Sequence, residues 1–277
     1  MKQPLIRPPA VAGTFYPGNA KTLQKDLDEL FLRAKPASPL GSLVALISPH
    51  AGYMYSGFTA AHGYKLLQGQ KFDCVVIVAP SHREYFEGVS VYSGSAYQTP
   101  LGTFPVDEGL RSDLLEASDI IESSARGHGS EHAIEVQLPF LYSMLGEIKI
   151  LPVIMGDQQR NLCYELGEAL GVILKDKRCL LVASTDLSHY YPYDTAKQID
   201  QRTIDDIQRF DYEHLMDDID NNIAEACGGG PTVAVLSAAR QLGATDVQIL
   251  HHCNSGDITG DHSGVVGYVS ASVVRAH

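Results

Sequence analysis

Three stretches of the chain share one pattern, in which a run of apolar residues ends in a polar turn that carries a histidine. They read LVALISPHAGY over residues 43–53, DCVVIVAPSH over 73–82 and CLLVASTDLSHY over 179–190. Continuous apolar runs of this length, rich in β-branched residues, are typical of strands that are buried on both faces of a sheet. The pattern therefore predicts buried strands at residues 43–48, 74–79 and 180–183, each followed by an imidazole.

The rest of the chain alternates between helical and extended patterns. The helix expected at 134–145 contains Pro139, which should either kink it or mark its true start. Two short strands that flank the SGS of residues 93–95 are expected to form a hairpin. The predicted helices cover residues 58–67, 106–116, 134–145, 162–174, 196–210 and 231–242, and the further strands cover 89–92, 96–99, 148–154, 247–251 and 265–273.

Buried strands that alternate with helices indicate an α/β fold, with a mixed, mostly buried β-sheet covered by helices on both faces. The sheet is expected to be mixed because a hairpin pairs its two strands antiparallel. No linker, low-complexity segment or repeat divides the 277 residues, so we expect a single domain over residues 1–277.

Composition and missing motifs exclude several classes of function. The net charge of −12 argues against nucleic acid as a partner, because phosphate contacts need a basic surface. No window approaches the ~20 apolar residues of a membrane span, and the N-terminus lacks the apolar stretch of a signal peptide. The five cysteines have no framework spacing, which favours a cytoplasmic protein. Phosphate-loop, dinucleotide-binding and nucleophile-elbow motifs are absent from the sequence.

The histidines that follow the predicted strands are the first candidates for a functional site. In an open α/β sheet the ligand site lies beyond the carboxyl ends of the strands. We therefore expect His50, His82 and His189 to converge, with Asp186 in the same turn as His189. A single loop histidine is more often simply solvated, but three in equivalent positions favour a shared site.

Converging imidazoles indicate either a metal site or acid–base catalysis. Two histidines and one anionic ligand form the minimal facial set for non-haem iron, and similar sets hold zinc or copper. The residues alone leave the anionic ligand open among Asp186, Glu131, Glu135, Cys227 and Cys253.

Cys227 stands before three glycines and a proline, in EACGGGPTVAV. The glycines allow the backbone to approach a ligand closely, and Pro231 is expected to open a helix. A helix N-terminus lowers the pKa of a thiol and favours the thiolate. The alternative, a small buried cysteine at a helix entry, is equally consistent with the pattern. Cys253, in HHCNSGD, continues a strand and is expected to be packed.

A fourth cluster lies in GHGSEHAIEVQLPF at residues 127–140. Glu131 and His132 at a helix start are placed to reach the site, although a capped and solvated first turn explains them equally well. The spacing does not match the HExxH motif of zinc proteases.

The stretch STDLSHY favours an acid–base pair. His189 is expected to carry the proton, and Asp186, three residues earlier, to orient it or to serve as a fourth metal ligand. The alternative is that Asp186 caps a helix that follows it, with His189 in the first turn.

Nine stretches taken together resemble the Memo family, whose bacterial and archaeal members are labelled AmmeMemoRadiSam system protein B. They are AVAGTFYPG, PHAGYMYSG, APSH, TPLG, EHAIEVQLPF, LPVIMG, STDLSHY, ACGGGP and SGVVGYVSAS, and they span nearly the whole chain. The resemblance implies a fold similar to that of the class III extradiol dioxygenases, which are non-haem iron enzymes. It also implies a metal pocket of His50, His82 and Cys227, with Asp186 and His189 close by.

The sequence departs from these relatives at two places. The extradiol enzymes use a glutamate where this chain has Cys227, and a thiolate favours softer ions such as copper(I). The animal Memo proteins carry a Trp-Tyr pair where this chain has Phe15 and Tyr16, so peptide binding is not carried over.

The resemblance therefore implies a metal-dependent redox enzyme for an unknown small or modified substrate, with iron or copper as cofactor and zinc as the minor alternative. The residues expected to catalyse are His189, Asp186 and His132. The competing expectation is a non-catalytic binding module with a vestigial pocket. Relatives often accompany a radical-SAM protein and an AMMECR1-like protein, which are the implied pathway partners.

Overall fold

The computed structural model describes residues 5–39 and 41–276. The helices are α1 (Ala20–Arg33), α2 (Tyr53–Lys65), α3 (Glu108–Ala117), α4 (Leu138–Leu145), α5 (Arg160–Ile173), α6 (Tyr193–Gln208), α7 (Tyr212–Asp220), α8 (Gly229–Gln241) and α9 (Ser255–Thr259). The strands are β1 (Ile6–Arg7), β2 (Gly41–Ser48), β3 (Cys74–Pro80), β4 (Val89–Tyr92), β5 (Ala96–Gln98), β6 (Thr103–Pro105), β7 (Ile121–Ser124), β8 (Lys149–Met155), β9 (Cys179–Ser184), β10 (His189–Tyr191), β11 (Asp246–Asn254) and β12 (Val265–Ala276). Within these two ranges, no helix is both long and apolar enough to cross a membrane.

Nine strands form the main sheet, in the order β10-β12-β2-β9-β3-β8-β4-β7, with β11 paired to β12. The central strands β2, β9, β3 and β8 run parallel to one another. Antiparallel pairs β12–β2 and β4–β8 flank them, so the sheet is mixed. A separate three-stranded sheet has the order β1-β5-β6.

Both faces of the main sheet are covered, because alternate residues of its central strands enter different hydrophobic cores. Val76 and Val78 of β3 belong to one core, which also receives apolar residues from α3, α5, α6, α7 and α8. Val75 and Ile77 belong to the other, which α1, α2 and α4 complete. Helices on both faces of a mixed sheet confirm the predicted fold class.

The predicted hairpin between residues 89–92 and 96–99 is wrong. The first of these strands pairs with β7 and β8 in the main sheet, and the second pairs with β1 and β6 in the small one. The amides that flank the turn bond elsewhere: Ser93 donates to the carbonyl of Ser124, and Ser95 donates to that of Leu5. The segment therefore links two sheets rather than folding back on itself.

Three helices, α1, α7 and the short α9, were not expected from the pattern, and α4 begins differently from the prediction. α1 and α7 carry many polar residues, so their apolar stripes are narrow. Leu23, Leu27 and Phe31 are the buried residues of α1, and Asn19 caps it. Pro139 marks a start rather than a kink, because a short 3-10 turn at Glu135–Gln137 precedes α4 and the proline lies in its first turn.

Candidate metal centre

The candidate site lies at the carboxyl edge of the three adjacent parallel strands β2, β9 and β3. His50, Asp186 and His82 each follow the last residue of one of these strands by two positions. Because neighbouring parallel strands end at the same edge of a sheet, the three turns meet. The imidazole rings of His50 and His82 have centroids 5.0 Å apart.

A third imidazole, that of His132, completes a cluster at this edge. Its ring stacks on His82 with centroids 4.8 Å apart, and its centroid lies 5.4 Å from that of His50. One ring nitrogen from each of the three histidines lies within 4.8 Å of the others. The side chains of His50 and His132 are buried, and that of His82 is partly exposed. The cluster therefore has the donors of a metal site and an opening on the side of His82.

Ser184, the last residue of β9, fixes the tautomer of His50. The hydroxyl of Ser184 donates its single proton to the carbonyl of Ala133 at 2.7 Å and accepts a hydrogen bond from Gln137 Nε2 at 2.8 Å. His50 Nδ1 lies 2.9 Å from the same oxygen, so it has to be the donor in this contact. The proton of neutral His50 therefore resides on Nδ1, and the lone pair of Nε2 faces the cluster.

Glu131 orients the imidazole of His82 and lies close to that of His132. Its Oε1 lies 3.0 Å from His82 Nδ1 and 3.1 Å from His132 Nδ1, and its carboxylate also accepts from the backbone amides of His82, His132 and Ala133. Burial alone raises the pKa of this carboxyl, but the contacts from His132 and His82 outweigh it and hold the pKa well below the usual range. An ionised carboxylate only accepts hydrogen bonds, so it assigns the Nδ1 proton to His82 and leaves Nε2 free.

Electrostatics keep His50 neutral. Burial lowers its pKa well below the ordinary value, and the neighbouring His82 and His132 lower it further. Imidazole binds a metal ion in its neutral form, so the ring is ready to coordinate at neutral pH without first losing a proton.

Cys227 contacts the cluster directly. Its Sγ lies 3.1 Å from His50 Nε2 and accepts a hydrogen bond from the backbone amide of Asp186 at 3.3 Å. The glycine that follows is needed for this approach, because a Cβ on Gly228 would lie 2.2 Å from the carbonyl oxygen of Ser184. Cys227 thus lies beside His50, in the pocket that the family resemblance implied, and its role as a ligand stays a prediction.

The expected lowering of the Cys227 pKa is wrong for the protein without a metal. Burial raises the pKa of this thiol well above the ordinary value, and the negative charge of Asp186 raises it further. The start of α8 at Gly229 does not reverse this effect. A metal ion at the site would have to displace the thiol proton.

Asp186 and His189 lie in the turn after β9, but they do not form the predicted pair. The Oδ1 of Asp186 accepts from the backbone amide of His50 at 2.8 Å, and burial raises the pKa of its carboxyl to about 6. The carboxylate beside His189 is Glu225, whose Oε1 lies 3.9 Å from Nδ1 and accepts from the His189 amide. Among the described residues, no hydrogen bond joins Asp186 to His189.

The alternative that Asp186 caps a following helix is also wrong. His189 lies in strand β10, and α6 begins only at Tyr193. Asp186 therefore acts on the turn that holds His50 rather than on a helix.

Comparison with known proteins decides the family. The sequence model of the Memo-like protein family matches residues 7–272. The chain belongs to the Memo family. A MEMO1 family protein of Methanosarcina mazei is 40% identical over 273 residues, which cover 97% of this chain and 99% of the relative. A MEMO1 family protein of Sulfolobus acidocaldarius is 37% identical over 281 residues, covering 96% of this chain and 98% of the relative.

A solved structure shares the fold of this Memo-family protein. The crystal structure of the uncharacterized protein JW3007 from Escherichia coli K12 superimposes with a TM-score of 0.57 at 17% sequence identity. The match covers 83% of this chain and 99% of the other. At this identity the likeness concerns the fold alone.

Two of the five candidates for the anionic ligand of this Memo-family protein are engaged elsewhere. Glu135 forms a buried ion pair with Arg7 at 2.6 Å and accepts from the hydroxyl of Tyr16 at 2.6 Å. It thereby anchors the N-terminal segment. The Sγ of Cys253 lies 3.2 Å from Thr59 Oγ1. Asp186, Glu131 and Cys227 remain at the cluster.

A large cavity adjoins the cluster through Phe15, which was not recognised as a site residue. The ring of Phe15 packs on that of His132 with centroids 4.7 Å apart, and the same residue lines a cavity of about 860 Å³. Aromatic residues Tyr16, Tyr53 and Phe58 line it further, together with Asp26, Glu29, Arg33 and Asp257. Ser184, Gln137 and Glu225 were missed for another reason: only the folded chain brings them to the histidines.

Proposed function

We propose that this Memo-family protein is a metal-dependent redox enzyme that acts on a small or modified substrate, with iron or copper as its cofactor. The observation that carries the proposal is the meeting of three histidine nitrogens and one thiol at the carboxyl edge of the central strands. The Nδ1 contacts with Ser184 and Glu131 leave Nε2 lone pairs on His50 and His82, which is the arrangement of metal-binding imidazoles.

His50, His82 and Cys227 would hold the ion, and His132 is the competing third donor. A thiolate as third donor favours copper(I) or zinc, whereas a third imidazole is also well suited to iron. When bound, the ion would supply one-electron chemistry and a binding position for a substrate oxygen. Coordination by Cys227 would require its thiol to lose the proton, and the raised pKa of this thiol would make that loss cost free energy.

The protein's own acid–base groups would handle protons beside the ion. Asp186 has a pKa of about 6 and hydrogen-bonds the amide of His50, so its charge state changes near neutral pH. His189 is partly exposed at the rim and is the proposed proton carrier, with Glu225 as its nearest carboxylate. His132 is the member of the cluster that packs on Phe15, and it is the third candidate for catalysis.

An anaerobic titration with iron(II), copper(I) and zinc tests the metal proposal. Wild type is compared with Cys227→Ser and His132→Gln, and Cys253→Ser is the matched thiol control because its sulfur contacts Thr59. We expect Cys227→Ser to weaken copper(I) binding by at least about tenfold, with the control unchanged. Binding should be tighter at pH 8 than at pH 5, because protons compete for imidazole and thiolate. Equal affinities in all four proteins would remove Cys227 and His132 from the site.

The second candidate function is a non-catalytic binding module. It is favoured by the cavity beside Phe15, which is large enough for a small ligand, and by the protonated state of the buried Cys227. Oxygen consumption by the metal-loaded protein with a reductant separates the two functions. Turnover that is lost in His50→Ala supports the enzyme, and a tightly loaded but inert site supports the binding module.

The proposal also includes a cellular location and pathway partners. The five cysteines, which are all free, suit a reducing cytoplasm. A radical-SAM protein and an AMMECR1-like protein are the proposed pathway partners, whereas the acidic chain does not suit nucleic acid. Co-purification of either protein with the tagged chain from its own cells is the corresponding test.

A further inference from the structure

A second group of metal-binding side chains lies where α6 and α7 meet, on helices that contribute no side chain to the candidate metal centre. Asp206 lies in the last turn of α6, and His214 and Asp218 lie one turn apart on α7. One ligand atom from each of the three lies within 4.8 Å of the others. We propose that Asp206, His214 and Asp218 bind a divalent transition-metal ion such as zinc, and that the bound ion links the two helices.

The distance between His214 and Asp206 matches that between two ligands of a tetrahedral ion, and the distance between His214 and Asp218 is a few tenths of an ångström longer. His214 Nδ1 lies 3.3 Å from Asp206 Oδ1 and 3.7 Å from Asp218 Oδ1. An ion with bonds of about 2.0–2.1 Å holds its tetrahedral ligands roughly 3.3–3.4 Å apart. A direct hydrogen bond between imidazole and carboxylate would be shorter, at about 2.8 Å. The half-exposed His214 leaves a fourth position open to solvent.

Asp206 is the residue that most needs a cation. It is 1% exposed, and its Oδ2 is buried without a hydrogen-bond partner among the described residues. It also lies at the carboxyl end of α6, where the helix dipole is negative and disfavours an anion, and the last turn contains no basic residue. A divalent ion would offset both costs at once.

Arg209 is the competitor for this position. Its guanidinium donates to Asp206 Oδ1 at 2.8 Å, but its side chain is 59% exposed. Such a pair contributes little free energy and can be displaced when the arginine turns to solvent. Because Arg209 competes with the ion for Asp206, removal of the arginine charge should strengthen metal binding.

Zinc chloride is the probe, and the imidazole NMR signals of histidine-labelled protein are the readout. The signals of His214 are assigned from their loss in His214→Ala, and those of His50 and His82 report the candidate metal centre separately. We expect the His214 signals of wild type to shift and saturate with zinc, whether or not the other histidines respond. Failure of this proposal and failure of the proposed function are therefore distinguishable.

Three variants test the proposed ligands. Asp218→Asn should weaken zinc binding at His214 by about tenfold or more, because one charged ligand is lost. Arg209→Gln should strengthen it. Glu213→Gln, an equal change of charge at the exposed neighbouring position, should leave it unchanged. Circular dichroism checks that each variant is folded, and Asp206→Asn replaces Asp218→Asn if the latter is not.

Two results would overturn the proposal. The first is no shift of the His214 signals up to about 1 mM zinc, which is the range of weak adventitious binding. The second is equal zinc affinity at His214 in wild type and Asp218→Asn, which would mean that a single exposed imidazole binds the ion and the carboxylates do not.

Discussion

Replacement of Ser184 by alanine tests how the protein prepares His50 for a metal ion. The hydroxyl of Ser184 accepts the proton of His50 Nδ1 and leaves Nε2 free toward the cluster. Without this acceptor, the buried imidazole can adopt the other tautomer or rotate. A metal ion would then have to reorient the ring on binding, which lowers its affinity. The ring itself and every proposed ligand stay present in Ser184→Ala.

The size of the effect follows from the contacts that are lost. An unsatisfied buried donor costs about 1–3 kcal/mol, and removal of a group that orients a metal ligand lowers metal affinity about 10- to 100-fold. The hydroxyl also accepts from Gln137 Nε2 and donates to the carbonyl of Ala133. We therefore expect the free energy of unfolding of the metal-free protein to fall by about 1–3 kcal/mol as well.

Ser272→Ala is the matched control. Ser272 lies on β12, it is fully buried, and its hydroxyl has no hydrogen-bond partner among the described residues. Its loss should leave metal affinity unchanged and should not lower stability, because an unpaired buried hydroxyl contributes no hydrogen bond to the fold. Anaerobic calorimetric titration with iron(II) gives the affinity, and urea unfolding gives the stability. Affinity in Ser184→Ala within twofold of wild type would refute the assigned role of Ser184.

Three further predictions concern buried charged or polar groups. Glu131→Gln should lower metal affinity about 10- to 100-fold by loosening His82, as measured in the same titration. Burial raises the pKa of Asp200 to about 6, because it disfavours the charged carboxylate. The folded state therefore binds this proton more tightly than the unfolded state does. The resulting contribution to the free energy of unfolding is full below the unfolded pKa of about 4 and is lost as the pH rises through 6. Asp200→Asn, which keeps an acceptor for the Ser188 amide, should therefore gain up to about 3 kcal/mol over wild type between pH 4 and pH 8 in urea unfolding. Burial lowers the pKa of His128 to about 3, so its contribution is present above pH 6.5 and is lost on acidification. Between pH 7 and pH 5, the free energy of unfolding of wild type should fall by about 2 kcal/mol more than that of His128→Gln. Equal decreases would mean that His128 is not buried in its neutral form.

The part of the site that could be predicted from the sequence depends on position along strands. His50, His82 and Asp186 each follow an apolar run, and adjacent parallel strands bring such positions together without any knowledge of side-chain contacts. Cys227 was singled out by the family resemblance, because the glycines after it left a structural cysteine equally possible; in the structure Gly228 allows the close approach to Ser184.

The rest depends on contacts between distant residues. Glu131 reaches His82 across 49 positions and Ser184 reaches His50 across 134, and no local pattern encodes such pairs. The pKa of Cys227 was misjudged because burial outweighs the helix terminus. The hairpin prediction was wrong for a similar reason, because residues 89–92 pair with β7 and β8, which are distant in sequence. The polar helix α1 did carry a readable signal in Asn19, Leu23 and Leu27.

Anomalous diffraction from crystals loaded anaerobically with iron(II) tests the central claim most directly. We expect a strong peak at the carboxyl edge of β2, β9 and β3, within bonding distance of Nε2 of His50 and Nε2 of His82, with Cys227 or His132 as the next donor. A loaded crystal with no iron peak between His50 and His82 would contradict it.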